Sequence, residues 1–136
     1  MAANSLLAGA TQALCYLAYR RKDAVSAEDV ARSLDTNPVV VRKLLKALAK
    51  KGLVRIKPGR HGGVALDREP EDITLKDIRE ALGENTLFAL RERGNPRCPV
   101  NRAMKGLLTD VFEDAEAAVV ESLANVKLAG LLERIG

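Results

Sequence analysis

Eight residues, KPGRHGGV at positions 57–64, hold two cations, the only histidine of the chain and three glycines. Three chemistries suit such a stretch: cradling a phosphate, holding half of a metal site, or forming a hairpin tip that touches something outside the protein. A phosphate loop needs glycines that lead into a helix N-terminus, with Lys followed by Ser or Thr. Here the glycines lead into the strand-like VAL, and Lys57 precedes them. A metal site at His61 needs partner ligands, and the chain has no second histidine and no cysteine nearby. The hairpin tip remains. In it Gly59, Gly62 and Gly63 permit a tight turn and close approach to another backbone, Arg60 is suited to a minor groove, and His61 is carried beside it. A plain turn with no ligand is the alternative.

The two cysteines are the other reactive groups. Cys15 and Cys98 stand 83 positions apart, a spacing that matches no zinc site, redox pair or disulfide framework. Cys98 lies just before Pro99 at the expected N-cap of a long helix, with Arg97 adjoining. Free N–H groups and the helix dipole favour a thiolate there, which makes Cys98 a candidate redox-sensitive thiol. Cys15 is the weaker redox candidate, because its place between Leu14 and Tyr16 in an apolar helix reads as a small buried hydrophobe. No resolving thiol accompanies Cys98, so a purely structural role for both cysteines stays open. As an enzymatic nucleophile Cys98 lacks a positioned base. No catalytic residue, metal or cofactor is assigned.

The elements that carry these residues can be read from composition and periodicity. A chain of 136 residues, 47% hydrophobic and 29% charged, is one ordinary globular domain with one core of modest size. No apolar run approaches the roughly 18–20 residues of a membrane span. The opening MAANSLLAGATQALCYLAYRR places its cations after the apolar part, the reverse of a secretory signal, so the expectation is a cytoplasmic protein with no membrane partner. Within it, Leu6, Leu7, Ala10, Leu14 and Leu17 recur at helical spacing. The net charge of +4 conceals a split: residues 1–68 hold 13 Lys and Arg against 5 Asp and Glu, or +8, and residues 69–136 hold 9 against 13, or −4. A basic half of that kind meets a polyanion, although solvated helix faces are also Lys-rich.

The stretch AVSAEDVARSLDTNPVVVRKLLKALAKKGLVRIK divides at its own punctuation. Ser26 is the expected N-cap of a short helix with Asp29 three residues on, and Val30, Ala31 and Leu34 form its apolar face. Asp35-Thr36-Asn37 is a turn, Asn37 caps a second helix, and Pro38 takes the first helical position. Val41, Leu44, Leu45 and Leu48 face inward while Arg42, Lys43, Lys46 and Lys50 face out. Gly52 ends the helix, and LVRIK with VAL forms two short antiparallel strands. This is the layout of a winged helix-turn-helix. Placed in a major groove, the second helix brings Asn37, Val39, Val40, Arg42 and Lys43 nearest the base edges, with the valines on thymine methyls and Arg42 or Lys43 on guanine. Thr36 and Asn37 bond phosphates, Lys46 and Lys50 attract the backbone whatever its sequence, and Arg60, His61 and Gly62 form the wing tip.

With these residues in view the chain resembles the Rrf2 family of bacterial winged helix-turn-helix transcriptional regulators. The resemblance rests on VSAEDVARSLDTNPVVVRKLLKALAKKGLV, GRHGGVAL, PEDITLKDIREAL and a CP that opens a long C-terminal helix. It implies a mainly α fold with a two-stranded wing, and a dimeric DNA-binding repressor or activator, a repressor being the expectation. Some family members ligate an iron-sulfur cluster through three closely spaced cysteines before the long helix, whereas ERGNPRCPVNRAM offers Cys98 alone. His61 stands where many relatives have another wing glycine, and TNPVVV replaces a more polar start of the recognition helix.

The C-terminal half supplies the means of pairing. Val100, Met104, Leu107, Leu108, Val111, Phe112, Ala115, Val119, Ser122, Leu123 and Val126 continue one stripe for about seven turns, roughly 39 Å. A second copy of the chain is the economical cover for it, with Leu6, Leu14 and Leu17 bracing the same seam; a helix folded back on its own domain is the alternative. Thr74 and Asp77 start a helix joining the two parts. The expected division is 1–83 as the DNA-binding domain, 84–98 as a connecting loop and 99–136 as dimerisation helix and tail. The function expected is a homodimer on double-stranded DNA at an inverted repeat. A winged-helix adaptor that binds only protein is the alternative.

Overall fold

A computed structural model describes residues 5–83 and 86–135. Its elements run α1 (Ser5–Tyr19), α2 (Ala27–Leu34), α3 (Pro38–Lys50), β1 (Val54–Lys57), β2 (Gly63–Leu66), a 3-10 turn (Pro70–Asp72), α4 (Leu75–Ala81), α5 (Pro99–Ala124) and α6 (Leu128–Leu132). The fold is mainly helical, with one two-stranded antiparallel sheet in which Val54 pairs with Leu66 and Lys57 with Gly63.

Local chemistry sets the helix starts. Ser26 and Asp29 form a reciprocal capping box on α2, the Asp29 amide donating to Ser26 Oγ at 3.1 Å and the Ser26 amide to the Asp29 carboxylate at 2.9 Å. Those bonds hold the Asp29 carboxyl below its ordinary range. Asn37 caps α3 by accepting from the Val39 amide at 2.8 Å, and Pro38 occupies the first turn. Thr74 and Asp77 repeat the capping box on α4.

The core lies where α1, α2, α3, the sheet and α4 meet. Leu14, Val30, Val41, Leu45, Leu48, Leu53, Ile73 and Ile78 are fully or almost fully buried in one cluster. Leu14 and Leu17 belong to this cluster and so are not available to brace a seam between two chains. Cys15 is buried with them, and burial pushes its thiol up from its ordinary pKa, as a small hydrophobe in an apolar helix should show. One core residue arrives from the far end of the chain. After α5 the backbone turns back, the Leu128 amide donates to the Ile73 carbonyl at 2.8 Å, the Leu75 amide donates to the Val126 carbonyl at 3.0 Å, and Leu128 is fully buried. The chain's last helix therefore completes the core of its first half.

Leu128→Ala should lower the stability of the whole winged domain by about 2–5 kcal/mol, the cost of an unfilled core site. Urea unfolding followed by circular dichroism checks it. The midpoint falls and a single transition is kept.

Candidate nucleic-acid interface

The inward face of α3 fixes what its outward face presents. With Val41, Leu44, Leu45 and Leu48 buried, the helical period leaves Val39, Arg42, Lys43, Lys46 and Lys50 on the solvent side. Val39 is 63% exposed, an unusual position for a large apolar side chain at the start of a helix beside a glycine-rich hairpin. Between α3 and the hairpin lies an open cleft of about 790 Å³ whose walls include Val39, Arg42, Lys43 and Lys46 on one side and Lys57 and Arg60 on the other. Glu28, from the first turn of α2, is the one carboxylate on its wall.

The hairpin is built for close approach. A Cβ on Gly62 would fall 1.8 Å from the Lys57 carbonyl oxygen, so only glycine lets the tip fold this tightly. β2 is anchored by its Val64 amide, which donates to the Val25 carbonyl at 2.8 Å and ties the wing to the segment before α2.

The residues expected to form the interface do not all converge. Val39, Arg42, Lys43, Lys46, Arg60 and Gly62 line the cleft together. Thr36 and Val40 lie on the other flank of α3, in a small groove against Leu6 and Gln12 of α1. His61 lines the outer side of the wing with Asp23 and Arg55, away from α3. Lys50 continues the exposed face at the end of α3, beyond the cleft walls. The carboxamide oxygen of Asn37 is spent on the cap, which leaves its N–H₂ group as the end able to meet an external acceptor.

Two contributors escape sequence reasoning. Glu28 pairs with Arg42 across the angle between α2 and α3, a contact spanning 14 positions that no local pattern reveals. The Glu28 carboxyl is held below its ordinary range, first by a hydrogen bond to its own backbone and also by Arg42. Lys57 ends β1 and reaches the cleft because the hairpin folds over α3. The outward phase of β1 is its only sequence signal.

Both cysteines lie away from the cleft. Cys98 is the N-cap residue of α5, half-buried, with no side-chain hydrogen bond to the helix end.

Comparison with known proteins agrees with this geometry. The profile of the family described as "Rrf2: Iron-dependent Transcriptional regulator" matches residues 3–134. The chain is 33% identical to YwnA of Bacillus subtilis (strain 168), which bears the name of an HTH-type transcriptional regulator, over 97% of this chain and 98% of that protein. Among solved structures it is similar to a chain from Lactobacillus plantarum described as a transcriptional regulator, with TM-score 0.80 and 25% identity over 93% of this chain and 87% of that one. IscR of T. potens gives TM-score 0.72 and 25% identity over 98% and 88%.

The Glu28–Arg42 contact has a titration signature. In Arg42→Ala the Glu28 carboxyl should titrate at higher pH than in the unsubstituted protein and still below ordinary glutamate, because the backbone hydrogen bond is the larger cause and survives. Carboxyl-detected NMR titration of both proteins measures it.

Proposed function

The chain belongs to the Rrf2 family of HTH-type transcriptional regulators, and from that premise we propose that it binds double-stranded DNA as a homodimer, one α3 in each of two successive major grooves of an inverted repeat. It is a DNA-binding regulator and not an enzyme. The observation that carries the proposal is the cleft itself: five cations (Arg42, Lys43, Lys46, Lys57 and Arg60) against one carboxylate, beside an exposed valine at the tip of α3. That combination suits phosphates on the walls and thymine methyls at the tip. Arg42 reads a base edge, oriented by Glu28; Lys43 works beside it; Lys46 and Lys50 meet phosphates; Asn37 donates to the backbone with Thr36 behind it. Val40 meets the groove wall from the α1 side. Arg60 enters the flanking minor groove, Gly62 shapes that approach, and His61 faces the outer sugar-phosphate edge. Repression by occupying a promoter and a cytoplasmic location go with this reading.

Pairing is supported by α5. None of its residues is buried, and Val100, Leu107 and Val111 are 64%, 63% and 56% exposed along one stripe with Met104. The charges along α5 are unequally placed: Arg102 and Lys105 lie in its first two turns, and Asp110, Glu113, Asp114, Glu116 and Glu121 follow. Antiparallel pairing of two α5 helices sets basic turns beside acidic ones, whereas parallel pairing sets like beside like. In this division residues 1–83 read DNA, 84–98 connect and 99–124 pair, while the last helix serves the reader's core.

The family description mentions iron, and the side chains here do not fit a resident metal. Among the described residues no three of His, Cys, Asp and Glu converge. Cys98 stands without a second thiol, and Cys15 is enclosed in the core. If either cysteine is redox-active, Cys98 is the accessible one.

Selection from random duplexes should recover an inverted repeat with half-sites about one helical turn, roughly 34 Å, apart. On that site Arg42→Ala should lose about 1–3 kcal/mol and relax the preference at one position, while Lys50→Ala should weaken every sequence alike and reduce the slope of log affinity against log salt by about 1. Equal losses from both on all sequences contradict these roles, and no duplex binding at low salt favours the protein-binding adaptor. Leu107→Asp combined with Val111→Asp should sediment as a monomer at micromolar concentration, where the unsubstituted chain is a dimer.

A further inference from the structure

The connecting segment is a built structure. From Leu87 onward it runs back along α5: the Leu87 amide donates to Glu116 Oε1 at 2.8 Å, the Phe88 and Phe112 rings lie 5.6 Å apart, and Asn101 Nδ2 donates to the Asn95 carbonyl at 2.9 Å. Gly94 is held so close to the Asn101 side chain that a Cβ there would fall 1.7 Å from Asn101 Oδ1. Between this segment and the first turns of α5 a cleft of about 390 Å³ stays open, within the size range of small-molecule sites. Leu90, Met104, Leu108 and Phe112 give it an apolar interior.

Its walls also carry Arg91, Arg93 and Lys105, and no carboxylate. None of the three has an ion-pair partner among the described residues. They belong to a basic island: residues 91–105 hold Arg91, Arg93, Arg97, Arg102 and Lys105 against Glu92 alone, inside a half of the chain that is acidic in sum. Cations gathered without counter-charges at the mouth of an apolar cleft are the complement of one class of molecule. Asn101, Lys105, Leu108 and Phe112 line the cleft and Leu107 and Val111 do not, while Val100 and Met104 belong to both the cleft wall and the exposed stripe, so a second chain on the stripe borders the cleft at those two residues.

We propose that this cleft binds a small organic carboxylate with an apolar body, the body between Leu90, Met104, Leu108 and Phe112 and the carboxylate on Arg91, Arg93 and Lys105. Such a ligand is placed to act on the reader. Glu116, which holds the Leu87 amide, also lies 4.0 Å from Arg79 of α4, and α4 packs on α1 and α3. That regulatory part rests on the DNA-binding reading above; the binding itself does not.

The chain has two methionines, Met1 and Met104, so methyl-labelled methionine places a single reporter in the cleft. The full-length protein is titrated with 3-phenylpropionate, its amide 3-phenylpropanamide, indole-3-acetate, octanoate and acetate. A saturable shift of the Met104 signal with Kd below about 1 mM is expected for at least one of the three larger acids. The amide and acetate should bind at least about tenfold more weakly, and Arg93→Gln with Lys105→Gln should weaken the acid by a similar factor while leaving the thermal melt unchanged. No saturable shift with any acid, equal binding of acid and amide, equal binding of acetate, or a titration untouched by the two substitutions overturns the site. Duplex binding is then measured with and without the acid that binds. Unchanged affinity overturns the regulatory role, and absence of any duplex binding faults the DNA-binding reading while the methionine titration still decides the site.

Discussion

Burial of one face of α3 is the constraint on which the rest depends. Val41, Leu44, Leu45 and Leu48 are buried in the core where α3 packs on α2, β1 and α4, and a helix that cannot rotate about its own axis cannot change which residues it shows. Everything outward follows from that phase: the valine at the tip, the row of lysines, and the guanidinium of Arg42 near enough to α2 for Glu28 to hold it. The caps serve the same end. Asn37 and Pro38 set where α3 starts, and a start displaced by one residue would turn every outward side chain by about 100°. Stability and recognition are thus two faces of one helical period.

Charge placement adds a second level of organisation. Among the described residues the cations along α3 are left largely unpaired, with Arg42 the exception, and it is an exposed pair in which the carboxylate competes with whatever anion arrives. An exposed pair is worth little as stability, so its value lies in holding a long side chain in one direction. Elsewhere opposite charges are used as ties. Arg21 makes two hydrogen bonds to Glu69, at 2.8 and 2.7 Å, joining the turn after α1 to the chain leaving the sheet, and each group's charged form is favoured by the other.

Much of this was legible because it is local. Ser26, Asp29, Asn37, Pro38, Thr74, Asp77 and Pro99 act within one turn of their own positions, so their types and spacing announce the helices they start. The inward residues of α3 and the paired strands follow from period alone. What stayed hidden depends on contacts across the chain. Glu28 reads as an ordinary first-turn acid until α3 brings Arg42 to it. Thr36, Val40 and His61 are adjacent in sequence to cleft residues, yet helical and strand phase carry them to other surfaces. Leu128 looks like one leucine of an amphipathic tail, and nothing in LAGLLERI says that the backbone returns to Ile73. The segment 87–98 has no periodicity at all, so its path along α5 could not be read.

The return of Leu128 and the exposure of α5 belong together. A helix of 26 residues spans roughly 39 Å, and among the described helices and strands it packs chiefly on the short α4. Left alone it would be a marginal rod with an apolar stripe facing water. Both of its ends, however, are held: the segment before it is pinned by Asn101 and Glu116, and the chain after it is drawn into the reader's core by Leu128. The rod is therefore fixed in direction before any second chain meets it. A partner that covers the stripe closes the pair without having to order it, so less conformational entropy is lost on association. In the dimer proposed above, the same fixing sets the separation of the two α3 helices through α5 and α4 together. A change that moves α4 against α5, at the Arg79–Glu116 contact, bears on that separation directly, because this packing joins the reader to the rod.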